Sequence, residues 1–325
     1  MSSARVVLLI PAALALVCLP ALGQSVISAQ SGLVHYVEGK VFVGDSQADP
    51  KFGQFPQLKE NEVLRTGLGR VEVLLNPGVF LRLAEDSSIR MLSTRLTDCR
   101  VELLQGSMVI EAPETENDSG AVTVVYKDAT IWLHEKGVYR LDTEPAQLRV
   151  FQGEAMVSAG GQKVVVKKGK VLLLDGTMIV QKFDTAQTDA LDRWSRRRAE
   201  HLAMANISAA KQIADSGVYW TRRGWWWNPY FGMYTFVPLR GTYYSPYGWS
   251  FWSPGNVYTI FYVPPTYSSG GWGGYNPNLG YSTVTPTSTG NSGTLAAGAS
   301  APTTASSSST APIARDSGSG SSRSR

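Results

Sequence analysis

The sequence predicts an all-β protein: stacked short strand pairs, solenoid-like or folded as a twisted sandwich, followed by one helix and an irregular aromatic extension. Three observations carry this. A glycine-centred figure recurs along the first half of the chain, at Gly39, Gly78, Gly106, Gly137, Gly153 and Gly169. Around those glycines apolar residues alternate with polar ones, as in Val71, Val73 and Leu75 or Val79, Leu81 and Leu83, the period-2 pattern of half-buried strands. After Gly176 the period changes to a helical one, and then the composition turns aromatic.

The chain has 325 residues, room for two ordinary domains. Charged residues make up only 17%, and Gly, Ser and Thr crowd the C-terminal third, which argues against two packed globules. The net charge is +4, with Lys and Arg scattered except at Arg193, Arg196, Arg197 and Arg198. A nucleic-acid partner is therefore not expected, because it calls for a concentrated basic stripe.

Met1 to Gly23 has the three parts of a secretory signal: Arg5, the uncharged run Val6–Leu22, and small residues at Ala21 and Gly23. Cleavage is expected before Gln24. Pro11, Pro20 and the short run disfavour a permanent span, which needs about 20 apolar residues, and Val17 is too large for lipid attachment at Cys18. No second run of that length follows, so no membrane span is expected after cleavage and the rest reads as exported, to the periplasm or the outer surface. Cys99 then stands alone, which excludes an internal disulfide and a four-cysteine zinc site.

Val34–Val43 reads as a first bent strand around Gly39. Gly44–Pro56 is a polar loop, and Leu58–Thr66 leads to the pair Arg70–Leu75 and Val79–Leu83 across Asn76-Pro77-Gly78, where proline and glycine suit a type II turn. Ser88–Leu92, Cys99–Leu104 and Ser107–Ala112 follow. Pro113–Gly120 is an acidic break whose spacing fits no calcium loop, so it reads as a solvated surface. Strands resume at Ala121–Tyr126, Thr130–Glu135, Val138–Asp142, Leu148–Gln152, Glu154–Ala159, Lys163–Lys167 and Lys170–Leu174. Gly137, Gly153 and Gly169 lie sixteen residues apart, which suggests stacked pairs with a regular rung. Positive φ is expected at Gly78, Gly106, Gly153 and Gly169.

These figures resemble the FecR domain family over about residues 34–176. The similarity rests on Glu38-Gly39-Lys40-Val41, on Asn61-Glu62-Val63-Leu64-Arg65-Thr66-Gly67, and on Arg70-Val71-Glu72-Val73 with Asn76-Pro77-Gly78. It continues through Leu81-Arg82-Leu83, Val101-Glu102-Leu103-Leu104-Gln105-Gly106 and Leu148-Arg149-Val150-Phe151-Gln152-Gly153. The resemblance implies an extracytoplasmic all-β module that senses or scaffolds. Family members that relay an iron-uptake signal carry a cytoplasmic helical segment before a membrane span. Here only Met1–Arg5 precede the apolar run, so the expectation is a FecR-like domain without the anti-sigma segment.

Asp184 can cap a helix over 184–213 that ends before Gly217. Leu191, Trp194, Leu202 and Ala205 fall on one face, and Asp189–Arg193, Asp192–Arg196 and Arg196–Glu200 can pair at i, i+4. The aromatic extension, 217–281, holds seven of the nine Trp and eleven of the fourteen Tyr. It can strap back onto the β domain, offer rings to a glycan, or meet the outer membrane or a protein partner, since Tyr and Trp suit half-wet boundaries. The contact candidates are Trp220, Trp225, Trp226, Trp227, Tyr230, Tyr234, Tyr247, Trp249 and Trp252. The tail at 282–325 is too poor in apolar side chains to fold.

No catalytic constellation, cofactor loop or metal-ligand spacing is present; His35, His134 and His201 are isolated in sequence. The expected function is an exported, non-enzymatic sensor, scaffold or binding module of the bacterial cell envelope. Its expected partner is an envelope protein or glycan met through the aromatic segment. The alternatives are an enzyme acting on envelope glycan and the exported half of a transmembrane signalling relay.

Overall fold

The computed structural model describes residues 31–49, 55–113 and 122–260. The expected leader, the acidic break from 114, the C-terminal tail and the aromatic extension from 261 onward lie outside the described residues. The first run of strands is β1 (Leu33–Val43), β2 (Ser46–Gln47), β3 (Val63–Leu74), β4 (Phe80–Leu83), β5 (Ser88–Arg95), β6 (Asp98–Gln105) and β7 (Ser107–Ala112). The second is β8 (Val122–Tyr126), β9 (Ala129–Leu133), β10 (Gly137–Thr143), β11 (Ala146–Gln152), β12 (Glu154–Ala159), β13 (Gln162–Lys167), β14 (Lys170–Leu173) and β15 (Val180–Lys182). All fifteen belong to one sheet in the order β13-β12-β9-β8-β6-β5-β3-β4-β7-β10-β11-β14-β15, with β1 laid on β3 and β2 on β1.

The sheet is folded on itself. One wing runs from β13 to β5 and the other from β4 to β15, and β3 belongs to both. Its start pairs with β5 (Val63 opposite Arg90) and its end with β4 (Val71 opposite Leu83). β1 follows β3 along its length with a register shift after Gly39, which stands opposite Gly69, so the two strands pass from one wing to the other where neither carries a Cβ. Inward residues of both wings share one core. Val101, Val124, Ile131 and Val157 on the first wing belong to the same cluster as Leu81, Ile110, Leu141 and Leu148 on the second. The all-β expectation holds, in the form of a nearly closed twisted sheet.

The chain alternates between the wings. It makes β5–β6 on the first and β7 on the second, then β8–β9, β10–β11, β12–β13 and β14–β15 by turns. That is why β8 returns beside β6 in parallel, Cys99 opposite Val122. The glycine spacing of sixteen is thus the length of one hairpin plus its crossing. Gly106, Gly153 and Gly169 stand between the wings, whereas the hairpin turns themselves use Lys127-Asp128, Glu144-Pro145 and Gly160-Gly161. The sequence pattern located these glycines correctly but suggested strand–turn–strand pairs at each. All four expected positions have positive φ: Gly78 at 90°, Gly106 at 82°, Gly153 at 88° and Gly169 at 73°.

Helix α1 (Ala190–Ser216) starts six residues later than expected. The Asp184 side chain accepts a local bond from the Ala186 amide, and no helix starts there. The capping box is Asp189 with Asp192, each side chain bonding the other's backbone N–H, and Gly217 closes the far end in the left-handed region. Leu191, Trp194, Arg198, Leu202, Ala205, Ala209 and Ile213 form the buried face. No helix among the described residues is long and apolar enough to cross a membrane.

The aromatic extension is more regular than its composition suggests. It forms two antiparallel hairpins, β16 (Gly224–Asn228) with β17 (Met233–Val237) and β18 (Thr242–Tyr244) with β19 (Ser250–Trp252). Three consecutive tryptophans hide the alternation, because both faces of β16 meet apolar surroundings.

Two of the crossing glycines should separate in stability. At Gly153 an added Cβ would meet Tyr139 Oη at 2.5 Å and Lys136 O at 2.7 Å, whereas at Gly169 nothing lies within 4 Å. Gly169→Ala is expected to cost about 1–2 kcal/mol from the left-handed backbone alone. Gly153→Ala should cost about 2–5 kcal/mol, because overpacking adds to that strain. Urea melts of both variants check this, and equal losses would contradict the tight crossing at Gly153.

Candidate functional site

The outer face of the second wing carries charge where a strand pattern would place solvent. Glu72 on β3 stands opposite Arg82 on β4, and Arg82 opposite Val109 on β7. Glu111 lies one pleat along β7. None of these charges reaches water: Glu72 and Arg82 are 0% exposed and Glu111 is 1%. Arg82 Nε donates to Glu72 Oε2 at 2.8 Å and its Nη1 to Glu111 Oε2 at 2.9 Å. From α1, Arg198 Nη2 donates to Glu72 Oε1 at 2.8 Å, and its guanidinium lies over the Tyr36 ring at 3.8 Å. Two carboxylates face two guanidinium groups, the pairing a buried charge requires.

Burial drives the Glu72 pKa upward, but Arg198, Arg82 and His35 outweigh it and hold this carboxyl well below its usual range. Burial dominates at Glu111 and raises its pKa despite Arg82. His35 joins the same group. Its Nε2 accepts the Tyr234 backbone N–H at 2.9 Å, so Nδ1 must carry the proton and donate to Glu72 Oε1 at 3.1 Å. Burial lowers the His35 pKa, outweighing Glu72.

A second cluster fixes the start of α1. Arg140 on β10 donates from Nε to Asp142 Oδ1 and from Nη1 to Asp192 Oδ2, both at 2.9 Å, and its Nη2 reaches Asp189 Oδ2 at 2.6 Å. The acids expected to pair along the helix with Arg193 and Arg196 turn inward to Arg140 instead. No ion pair to either arginine occurs among the described residues. Trp194 Nε1 adds a bond to Glu38 at 2.8 Å.

The first aromatic hairpin is wedged between sheet and helix. Trp225 packs edge-on against Phe80 at 5.2 Å, and Trp227 and Tyr234 surround Phe55. On its other face Thr235 Oγ1 donates to Leu202 O at 2.6 Å and Asn228 Nδ2 to Ala205 O at 2.8 Å. Asn206, 0% exposed, ties both hairpins to the helix, donating to Phe236 O and Trp252 O and accepting from the Trp252 amide.

Of the nine contact candidates, Trp225 is buried at 5% exposure and Tyr230 is open at 84%. Trp220, Trp226, Trp227, Tyr234, Tyr247, Trp249 and Trp252 are half-buried. Trp220 and Trp226 pack against Ile213 and Val237, and Trp249 against the core that holds Phe251. Tyr219, Phe231, Tyr244 and Tyr258, outside the candidate set, are exposed. Cys99 is 0% exposed, and burial pushes its thiol up to about 12, which makes it an inert packing group. No group of three or more metal-ligating side chains occurs among the described residues.

One cleft opens beside this layer, with a volume of about 400 Å³. Its floor is Val138, Phe151 and Gln152 on the sheet, one wall is the 185–196 stretch with Thr185, Thr188, Arg193 and Arg196, and the other is Pro246 and Tyr247. Lys168 also lines it. Arg196 lies over the Tyr247 ring at 5.6 Å, and Arg193 Nη1 donates to Thr188 O at 3.0 Å. Burial pushes the Tyr247 pKa up, so the phenol keeps its proton.

No family model matches the chain, and no curated protein matches it. Among solved structures, two crystal structures of a candidate anti-sigma factor from Parabacteroides distasonis ATCC 8503 are similar over part of the fold. One has 12% identity and a TM-score of 0.33, over 41% of this chain and 62% of that one. The other has 11% identity and the same TM-score, over 42% and 63%. The chain thus spans less than two thirds of either structure.

Two measurements test the buried layer. Glu72→Gln leaves Arg82 and Arg198 facing a neutral amide and should lower the unfolding free energy by about 3–5 kcal/mol; a loss under 1 kcal/mol by urea melts would contradict it. The His35 contribution has a definite sign. Its folded pKa lies below the ordinary 6.5, so the unfolded chain takes the proton first, and stability present above about pH 6.5 is lost as the pH falls through the folded pKa. Tm of the parent should therefore drop between about pH 7 and 5 more steeply than that of His35→Gln, and parallel curves would refute the neutral assignment.

Proposed function

We propose that the chain is an exported, non-enzymatic FecR-like binding module of the bacterial envelope that meets a glycan or a protein partner through its aromatic segment. The export reading is supported by the leader pattern at Met1–Gly23, and the family reading by the order of the motifs from Glu38 to Gly153. One observation carries the binding reading. The aromatic segment is fastened to the sheet and α1 by Asn206, Thr235 and His35, yet keeps Tyr230 and Tyr244 exposed and sets Tyr247 in a cleft wall. Rings held by a rigid base lose little entropy on contact, which favours binding.

The segment cannot be tested by deletion, because Trp225, Phe236 and Phe251 are core residues. Point variants serve instead. The chain should sediment with purified peptidoglycan sacculi or capture a protein from solubilised envelope. Tyr230→Ala with Tyr244→Ala should weaken that retention several-fold at unchanged Tm. Retention by neither material, or equal retention by the double variant, would contradict the aromatic contact surface. Soluble sugar released from the sacculi would contradict the non-enzymatic reading.

A further inference from the structure

We infer that the cleft between the start of α1 and the Ser245–Gly248 turn is a binding site for a carboxylate-bearing saccharide. The inference rests on the glycan branch of the reading above and adds a place and a charge to it. The cleft is of small-molecule size, since ligand pockets run to roughly 300–1,000 Å³ and this one holds about 400 Å³. Its cations face no carboxylate partner. Lys168, Arg193 and Arg196 line it, all three are exposed, and none makes an ion pair among the described residues. Asp192, the acid in the lining, is turned away: its Oδ2 accepts from Arg140 Nη1 at 2.9 Å and from the Asp189 amide at 3.1 Å. Arg140, shared with Asp142 and Asp189, draws the Asp192 carboxylate away from the cleft, and three lining cations against this one acid leave the lining net positive.

The remaining lining is suited to a sugar rather than to a bare ion. Thr185, Thr188 and Gln152 offer hydroxyl and amide groups that can both donate and accept, as sugar hydroxyls do. Phe151, Pro246 and Tyr247 supply apolar surface for the C–H face of a pyranose. Arg196 is held by the Tyr247 ring and Arg193 by Thr188 O, so two guanidinium groups are oriented before any ligand arrives, and a guanidinium fork matches a carboxylate bidentately. The two lie three residues apart on one helix face.

Titration calorimetry of the full chain with tri-galacturonic acid tests this, with neutral maltotriose and sodium sulfate as separate arms. The acidic trisaccharide should bind, the neutral one at least tenfold more weakly, and sulfate should compete only weakly. Binding should weaken as salt is raised, as the exposed cations demand. Arg193→Glu with Arg196→Glu, on an exposed stretch, should remove binding at unchanged Tm, and Arg196→Lys should restore part of it beside Arg193. Equal affinity for acidic and neutral trisaccharides, full competition by sulfate, or undiminished binding in the Glu variant would each overturn the site. A chain that sediments with sacculi but ignores the acidic trisaccharide would overturn the cleft and leave the envelope reading standing. Failure with sacculi and envelope protein alike, with the trisaccharide bound at the cleft, would do the reverse.

Discussion

The arrangement depends on one carboxylate that water never reaches. Glu72 sits at the centre of a strand, and its two oxygens are claimed by three elements: Arg82 from the neighbouring strand, Arg198 from the helix and His35 from the first strand. Isolated, such a charge would be very costly in the interior. The helix is therefore required for the sheet's own charges as much as for its apolar surface. His35 extends the requirement to the aromatic hairpin, because its other nitrogen accepts the Tyr234 amide. Sheet, helix and hairpin are joined through a few directional bonds, and apolar packing of Phe80, Trp225 and Phe236 fills the space around them.

These bonds also explain why the two wings of the sheet look different. In β8 and β9 every second residue is buried, the ordinary pattern of a sheet with one wet face. In β4 and β10 nearly every residue is buried, since the second wing has the shared core on one side and the helix–hairpin layer on the other. Polar side chains on that covered side must find partners within the protein: Arg82 pairs with Glu111 and Glu72, and Arg140 with Asp142 and Asp192.

How much of this could be read from the sequence follows from what each residue's neighbours reveal. The strands were legible because Val71, Val73, Leu81 and Leu83 alternate with polar residues, and that alternation is local. The glycines were legible as positions of unusual backbone, but not as crossings between wings, because a crossing and a hairpin turn impose the same φ. Glu72, Arg82 and Arg140 are not legible in this way: a charge in an alternating strand looks like a solvent face, and partners up to 126 residues away say otherwise. The helix was placed too early because Asp184 and Asp189 are both good caps, and the Asp189–Asp192 box with Arg140 behind it decides between them. The cleft had almost no local signal. The basic run Arg193–Arg198 was the one clue, and it divides, with Arg193 and Arg196 outward and Arg198 buried.

The distance along the chain between partners sets an order of assembly. Arg198 reaches back 126 residues to Glu72, and the Tyr234 amide 199 residues to His35. A chain emerging from its N-terminus can complete the folded sheet before either partner exists. Until then the second wing holds a half-neutralised acid and a bare row of apolar side chains. Closing loops of that length is slow relative to local strand pairing, so a sheet that formed first would have its outer face open to water, to proteases and to other chains. The last-made aromatic hairpin is thus the chain's own cover, and the sandwich is mature only when its C-terminal half has arrived.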